Sequence, residues 1–424
     1  MRNDASGGQG SEPVDGLRFP FENVPGPGVV KQVAQGIYWA RLPLPLRLNH
    51  VNVWLLVEPA VGAGEGGVAE GGAGEGSASD VLRLTVVDVG LGDQTTRELW
   101  NRLLARLGET AMPVRVAPSG GGKRVDSWQA EAEWLGAEQG AARGVKVEQG
   151  AAPGVKVERI VLTHFHPDHS GAARWMAEEQ GAQVLMSRGE HEQALAAKRE
   201  DRAAGAWSAV DRLTPHGLPG PTRELLLSSP RPFGHLVPDV PAAVVPLAAG
   251  DRVSLGGREW RVLIGHGHSP EHVSLYSEEA RLLISGDMLL PHISSHVGSP
   301  VTYRLGNPVA LFEQSLKQLE ELPTDTLVLP SHGVPFLGVK ARVAALLAHH
   351  RERCARLLDA VTEPHTAGEL LEVLFPRGLD PLQVILAMNE TIAHLAYLEE
   401  RGQVRQRRGP DGKIRWVRAS ARVW

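Results

Sequence analysis

In the stretch Thr163-His164-Phe165-His166-Pro167-Asp168-His169-Ser170-Gly171, four side chains able to bind a metal fall within six residues. They follow the apolar run Ile160-Val161-Leu162, which reads as a buried strand opening into a Gly/Ser/Pro-rich loop. Chemistry in α/β layers collects at such carboxyl ends. Residues two apart in an extended chain point the same way, so His164 and His166 can converge on one ion while the loop carries Asp168 and His169 towards a second. The spacing suits two metals better than one. An H-x-H pair by itself is more often an ordinary polar loop, so the reading depends on further ligands elsewhere.

Three more candidates close short apolar runs. His268 lies in Gly265-His266-Gly267-His268-Ser269-Pro270-Glu271-His272, Asp287 ends Leu282-Leu283-Ile284-Ser285-Gly286-Asp287, and His332 follows Leu327-Val328-Leu329-Pro330-Ser331. In kind and in order these motifs resemble those of the metallo-β-lactamase superfamily: the H-x-H-x-D-H cluster, the G-H-[ST]-x-x-H loop, the S-G-D strand end and the final histidine before a glycine. The resemblance implies an α/β fold, an αββα sandwich spanning roughly residues 28 to 340. It also implies a site with two divalent ions. His164, His166 and His268 would hold one, Asp168, His169 and His332 the other, and Asp287 would bridge them. Asp88 and Gly90 match the family's V-D-x-G turn, which implies a buried Asp88 supporting the metal loop from behind, and His272 falls at a similar supporting position. Glu271 stands where relatives often carry Gly, which puts the backbone shape of that loop in question. Zinc is the first expectation, and iron and manganese accept the same His/Asp set. Such a pair, about 3.5–4 Å apart, shares a water and lowers its pKa towards ~7. Asp168 is the residue expected to orient that water, and is therefore the catalytic candidate. His266, His292, His296, His349 and His350 have no counterpart among the ligands and read as loop, surface or core histidines.

Composition bounds the setting. With 424 residues the chain can bury more than one core. A formal charge of −5 argues against a chain that binds nucleic acid as a whole, while leaving local basic patches open. Cys354 is the only cysteine, which excludes an internal disulfide framework and Cys-rich metal sites and fits a reducing compartment. The polar start, without an apolar core, does not read as a signal peptide, and no stretch approaches the ~20 apolar residues of a membrane span. A cytoplasmic enzyme is the expectation.

Along the chain, residues 1–27 read as a flexible leader. Residues 28–340 read as the catalytic layers, interrupted by expected disordered insertions at about 62–79 and 118–155. The first is nearly all Gly, Ala, Glu and Ser, a composition that cannot pack. The second holds Glu138–Val147, repeated almost letter for letter as Glu148–Val157; one tandem copy is too few for a solenoid. The proline-rich region 207–246 would either overhang the site or form an inert surface excursion. Residues 341–424 show three helical patterns and then a hairpin around Gly409-Pro410-Asp411-Gly412. That layout resembles the winged-helix tail on one branch of the superfamily.

An activated acyl group suits hydroxide attack, because its leaving group needs little protonation. The first functional expectation is therefore a hydrolase resembling hydroxyacylglutathione hydrolases (glyoxalase II) and lactonases, acting on a small-molecule thioester, lactone or similar ester. The alternative is a metal-dependent nuclease whose basic tail binds nucleic acid, through Arg405, Arg407, Arg408, Lys413, Arg415 and Arg418 with Trp416 among them. The tail's other expected role is packing or homodimer formation.

Overall fold

The computed structural model describes residues 16–59, 81–110, 154–203, 207–228, 236–298 and 305–419. The tract at 62–79 and nearly all of 118–155 lie outside them. Two sheets stack face to face. The first runs in chain order: β1 (Val30–Ala34), β2 (Ile37–Pro43), β3 (His50–Val57), β4 (Leu82–Val87), β5 (Val155–Val161), β6 (Gln183–Ser187) and β7 (Val245–Leu247). The second contains β8 (Arg252–Leu255), β9 (Arg258–Gly265), β10 (His272–Ser277), β11 (Leu282–Gly286), β12 (Leu327–Pro330) and β13 (Phe336–Leu337).

The alternation of side chains along β3 shows why the first sheet is buried on both faces. Val51, Val53 and Leu55 join one core, while Trp54 and Leu56 join another. On the outer side, α1 (Gln94–Thr110) brings Leu99, Trp100, Leu103 and Leu107 into the first of these cores. The short α2 (Pro167–Ser170) precedes α3 (Ala173–Gln180), which adds Ala173 and Met176, and α4 (Arg188–Ala203) adds Ala194. On the inner side, Trp39, Trp54, Val87 and Val161 meet Trp260, Val262, Leu275, Ile284 and Leu329 of the second sheet. The hairpin that starts the second sheet turns on Gly256 and Gly257, at φ +60° and +69°, the left-handed pair that a two-residue connection requires.

Helices α5 (Trp207–Leu213) and α6 (Gly220–Ser228) are joined by a 3₁₀ turn, Thr214–His216. The far face of the second sheet is covered by α7 (Pro308–Glu320) and α8 (Val339–Ala360) through Phe312, Leu316, Val339, Val343 and Leu346. These layers make the expected αββα sandwich. Helix α8 starts at Val339, before the apolar periodicity beginning near Leu346, because its first turns bury Arg342 as well as Val339 and Val343. The C-terminal segment then adds α9 (Leu371–Leu374), α10 (Pro381–Glu400) and the hairpin of β14 (Val404–Arg408) and β15 (Ile414–Arg418). Val404 and Trp416 of the hairpin pack with Leu357, Leu395 and Leu398. Helices α5 and α6 do not lie free over the surface: Val210, Leu213, Leu218 and Leu226 share a core with Val384, Ala387 and Met388 of α10.

Two parallel pairings bring the candidate ligands to common edges. β4 runs beside β5, and β11 beside β12. Each pairing delivers two strand ends to the same edge of its sheet: Asp88 with Thr163, and Asp287 with His332.

Candidate metal centre

Asp88 organises the first of these edges. It adopts φ +60°, a conformation that costs a non-glycine residue roughly 1–2 kcal/mol. Its carboxylate is held by the Thr163 backbone N–H at 2.9 Å, the Thr163 hydroxyl at 2.9 Å and the His169 ring Nδ1 at 2.8 Å. The metal loop is thereby fixed at both ends. Between them, the N–H groups of His169 and Ser170 donate to the His166 carbonyl at 3.0 Å, with Pro167 opening the short helix.

The seven candidate ligands come together. His164, His166 and His268 form one group, Asp168, His169 and His332 a second, and His164, His169 and Asp287 a third that joins them, with the ligand atoms of each group within 4.8 Å of one another. Side-chain tautomers are set from behind. His169 Nδ1–H donates to Asp88, His332 Nδ1–H to the His50 carbonyl at 2.8 Å, and His268 Nδ1–H to the His296 carbonyl at 2.8 Å. With Nδ1 committed, the Nε2 lone pair of each ring is left to face the centre. His272 accepts the backbone N–H of Asp287 at 3.0 Å and so supports that carboxylate from behind.

The donor set fits a metal on an observation of its own. His169 Nε2, His332 Nε2 and Asp287 Oδ1 are buried without a hydrogen-bond partner, although such atoms are normally satisfied. Asp287 Oδ1 lies 3.6 Å from His169 Nε2 and 3.3 Å from His332 Nε2. These separations are long for hydrogen bonds and close to the edge of about 3.3 Å in a tetrahedron of ~2.0–2.1 Å metal–nitrogen and metal–oxygen bonds.

The carboxylates and the rings shift one another. Burial disfavours charge on His169, but Asp168, Asp287 and Asp88 outweigh it and lift the ring well above the ordinary imidazole range. Burial likewise opposes ionisation of Asp287, and His332, His169 and His268 hold it well below the usual carboxylate range. Burial and neighbouring rings keep His164 and His272 well below theirs, hence neutral. His164 is thus neutral and Asp287 ionised, as a divalent ion requires, whereas His169 and His332, both raised by the carboxylates, would release a proton when an ion binds.

Four supporting residues escaped the sequence reading. Glu190, fully buried on α4, accepts from the Phe165 N–H at 2.9 Å, the Ser269 hydroxyl at 2.6 Å and the Glu271 N–H at 2.7 Å. It ties the His164–His169 loop to the His268–His272 loop, and burial pushes its carboxyl up to about 7. His50 and Asn52 hold the His332 turn: His50 Nε2 accepts the Gly333 N–H at 2.9 Å, and the Asn52 amide donates to the Pro330 carbonyl at 2.7 Å. Thr163 completes the set. Nothing in the spacing of Glu190, His50 and Asn52 marks them, since folding alone brings their partners close, and Thr163, although beside His164, acts on the distant Asp88 carboxylate. The departure at Glu271 is absorbed locally, its carboxylate accepting the Gly189 N–H at 2.6 Å. His266 is a loop histidine bonded to the Pro270 carbonyl, and His292 stacks on Phe19. His350 is buried against His394 at 3.0 Å, away from the ligand groups.

Comparison with known proteins agrees with this geometry. Residues 128–332 match the family model of the metallo-beta-lactamase superfamily, and residues 354–419 match that of the metallo-beta-lactamase-like C-terminal domain. A probable metallo-hydrolase of Bacillus subtilis, YqjP, is 30% identical over 57% of this chain and 74% of its own length. The chain belongs to the metallo-beta-lactamase superfamily. A beta-lactamase domain protein from Burkholderia ambifaria, known as a crystal structure, superposes with a TM-score of 0.73 at 33% identity, over 95% of this chain and 98% of its own. A hydroxyacylglutathione hydrolase of Rhodobacter capsulatus is 28% identical over 50% of this chain and 60% of its own. The protein is thus a metallo-beta-lactamase superfamily hydrolase with the family's C-terminal domain. Among the described residues no helix is long and apolar enough to cross a membrane.

Proposed function

We propose that the protein hydrolyses a small-molecule thioester, lactone or similarly activated ester, with two divalent ions, zinc foremost, held by the seven residues. In this reading His164, His166 and His268 hold one ion, Asp168, His169 and His332 the other, and Asp287 stands between them. The observation that carries it is the approach of His169 Nε2 and His332 Nε2 to Asp287 Oδ1, all three buried and without a hydrogen-bond partner. The relatives named hydroxyacylglutathione hydrolase supply the substrate class. When bound, the ions contribute Lewis acidity that eases deprotonation of water and polarises an acyl oxygen.

The chain's own residues do the rest. Asp168 is the part-exposed carboxylate of the group, its side chain 19% accessible against 10% for Asp287. Against the cost of burial, His169 and His332 hold its carboxyl below the usual carboxylate range, so it is ionised and able to orient an incoming water by accepting its hydrogen bond. Asp88 and His272 hold His169 and Asp287 from behind and take no part in proton transfer. The three C-terminal helices with their hairpin fit a winged-helix-like unit over residues 341–424, used for packing or for pairing two chains in the cytoplasm. Its inner strand residues Val404 and Trp416 are buried, as that role requires.

The test is a hydrolysis panel on metal-loaded protein, covering glutathione and coenzyme A thioesters, lactones, phosphodiesters and single-stranded RNA. Turnover of thioesters or lactones is expected. Faster cleavage of RNA or phosphodiesters would replace this reading with the nuclease one, in which the exposed Arg405 and Arg407 of the hairpin contact the backbone.

A further inference from the structure

We propose that helices α8 and α10 set the orientation of His268 through the segment Met288–Gly298, with Arg342 and His296 as positioning residues. The inference rests on the proposed function, in which His268 is a metal ligand. The segment leaves β11 directly after Asp287 and contains no helix or strand. Met288, Leu289 and Val297 pack into the core beneath α7 and α8, and two polar contacts reach the centre. The His296 carbonyl accepts from His268 Nδ1 at 2.8 Å, and the Ser295 hydroxyl donates to the Asp287 carbonyl. His268 therefore takes its ring orientation from a carbonyl on a coil, which can do this only if the coil is itself held.

The outward contacts hold it, and they come from the C-terminal helices. Arg342 of α8 is 4% exposed, and its guanidinium donates to the Leu290 carbonyl at 2.5 Å and the Ile293 carbonyl at 2.7 Å. Burying a guanidinium is costly unless its donors are met, and these two carbonyls fix the middle of the segment. The His296 ring Nε2 donates to the Leu386 carbonyl of α10 at 3.0 Å. At Gly298, φ +134°, a Cβ would stand 2.6 Å from the Asn389 carbonyl oxygen of α10. Coil and helix therefore touch backbone to backbone. One residue, His296, bonds the C-terminal helix with its ring and the ligand histidine with its carbonyl. Moving α10 would swing the acceptor away from His268 Nδ1 and release the ring.

Loss of a hydrogen-bond partner behind a ligand typically lowers metal affinity about tenfold to a hundredfold. The experiment is a zinc titration of the full-length, metal-stripped chain against a competing chromophoric chelator, resolving two stepwise constants. His268→Ala identifies which constant belongs to the His268 ion. Arg342→Met and His296→Phe are each expected to weaken that same constant by about tenfold or more while leaving the other near its wild-type value, and to alter the visible spectrum of the cobalt-loaded protein at that ion alone. His296 is only partly buried, so His296→Phe keeps the test decisive should Arg342→Met fail to fold. Wild-type constants in His296→Phe would overturn the proposal, as would an equal fall in both constants that tracks the melting temperature. A wild-type chain that binds fewer than two ions would instead overturn the dinuclear reading on which the inference rests.

Discussion

Asp287 is the residue on which the two ligand groups depend, since it lies 3.6 Å from both His169 and His268 and 3.3 Å from His332. Asp287→Ala is expected to lower the bound metal from two ions to one or fewer and to cut turnover by more than the roughly hundredfold that loss of a supporting partner costs. Metal analysis beside steady-state kinetics checks this, and an active variant with two ions would remove Asp287 from the centre. Glu190 supplies a pH dependence. Its folded carboxyl is raised to about 7 by burial, so between about pH 4.3 and 7 the folded chain keeps a proton that the unfolded chain has released. The contribution of Glu190 to stability is therefore lost as pH rises through that window. Glu190→Gln should remove up to about 3 kcal/mol of that loss, so that metal-free urea unfolding gives the variant a change in stability from pH 5 to pH 7.5 more favourable than wild type by that amount. The candidate ligands stand out in the sequence because four of them sit together after one apolar run and the other three follow further runs. Glu190, His50, Asn52 and Arg342 do not, because each binds backbone groups far away in sequence, and such partnerships leave no pattern in residue spacing.

Among the elements, β11 ends under a constraint that its sequence only hints at. Gly286 adopts φ +54°, and a Cβ there would overlap the His272 ring, which accepts the Asp287 N–H. Gly286→Ala should cost about 1–3 kcal/mol in backbone strain and, by displacing His272, weaken metal binding as well. Thermal melting of the metal-free protein reads the first effect and chelator competition the second. A variant that melts lower yet binds metal normally would show that His272 does not position Asp287. Strand periodicity and the two-glycine turn located β2 to β6 and the β8–β9 hairpin. The start of α8 was obscured because Arg342 interrupts the apolar pattern while being buried itself, its charge met by carbonyls that no local signal reveals. The sequence from Thr366 to Leu371 reads as the start of a short capped helix, and Thr366 and Glu369 do exchange hydrogen bonds, but regular helix is confined to Leu371–Leu374.

For the whole molecule, the expected division near residue 340 crosses two shared cores. Val339, Val343 and Leu346 cover the second sheet together with α7, and α5 and α6 pack on α10. A chain ending near residue 340 would uncover both apolar faces, and it is expected to aggregate or melt well below the full-length protein, as read by size-exclusion chromatography and calorimetry. A monodisperse truncated chain with unchanged melting would make the C-terminal part an independent attachment. The αββα order was legible because strand and helix patterns alternate; the docking of α5 and α6 was not, because surface helices carry no label for their partner. The parallel pairings of β4 with β5 and β11 with β12 have a kinetic consequence. Each joins strands that are far apart along the chain, and one side of the centre is carried by each sheet, so ligands from His164 to His332 can meet only after the slow, long-range steps of folding are complete. A metal ion such as zinc would then bind a finished scaffold and not seed it. Refolding rates should be indifferent to zinc, whereas unfolding should slow as zinc is added, because interactions absent from the transition state act on the unfolding rate alone.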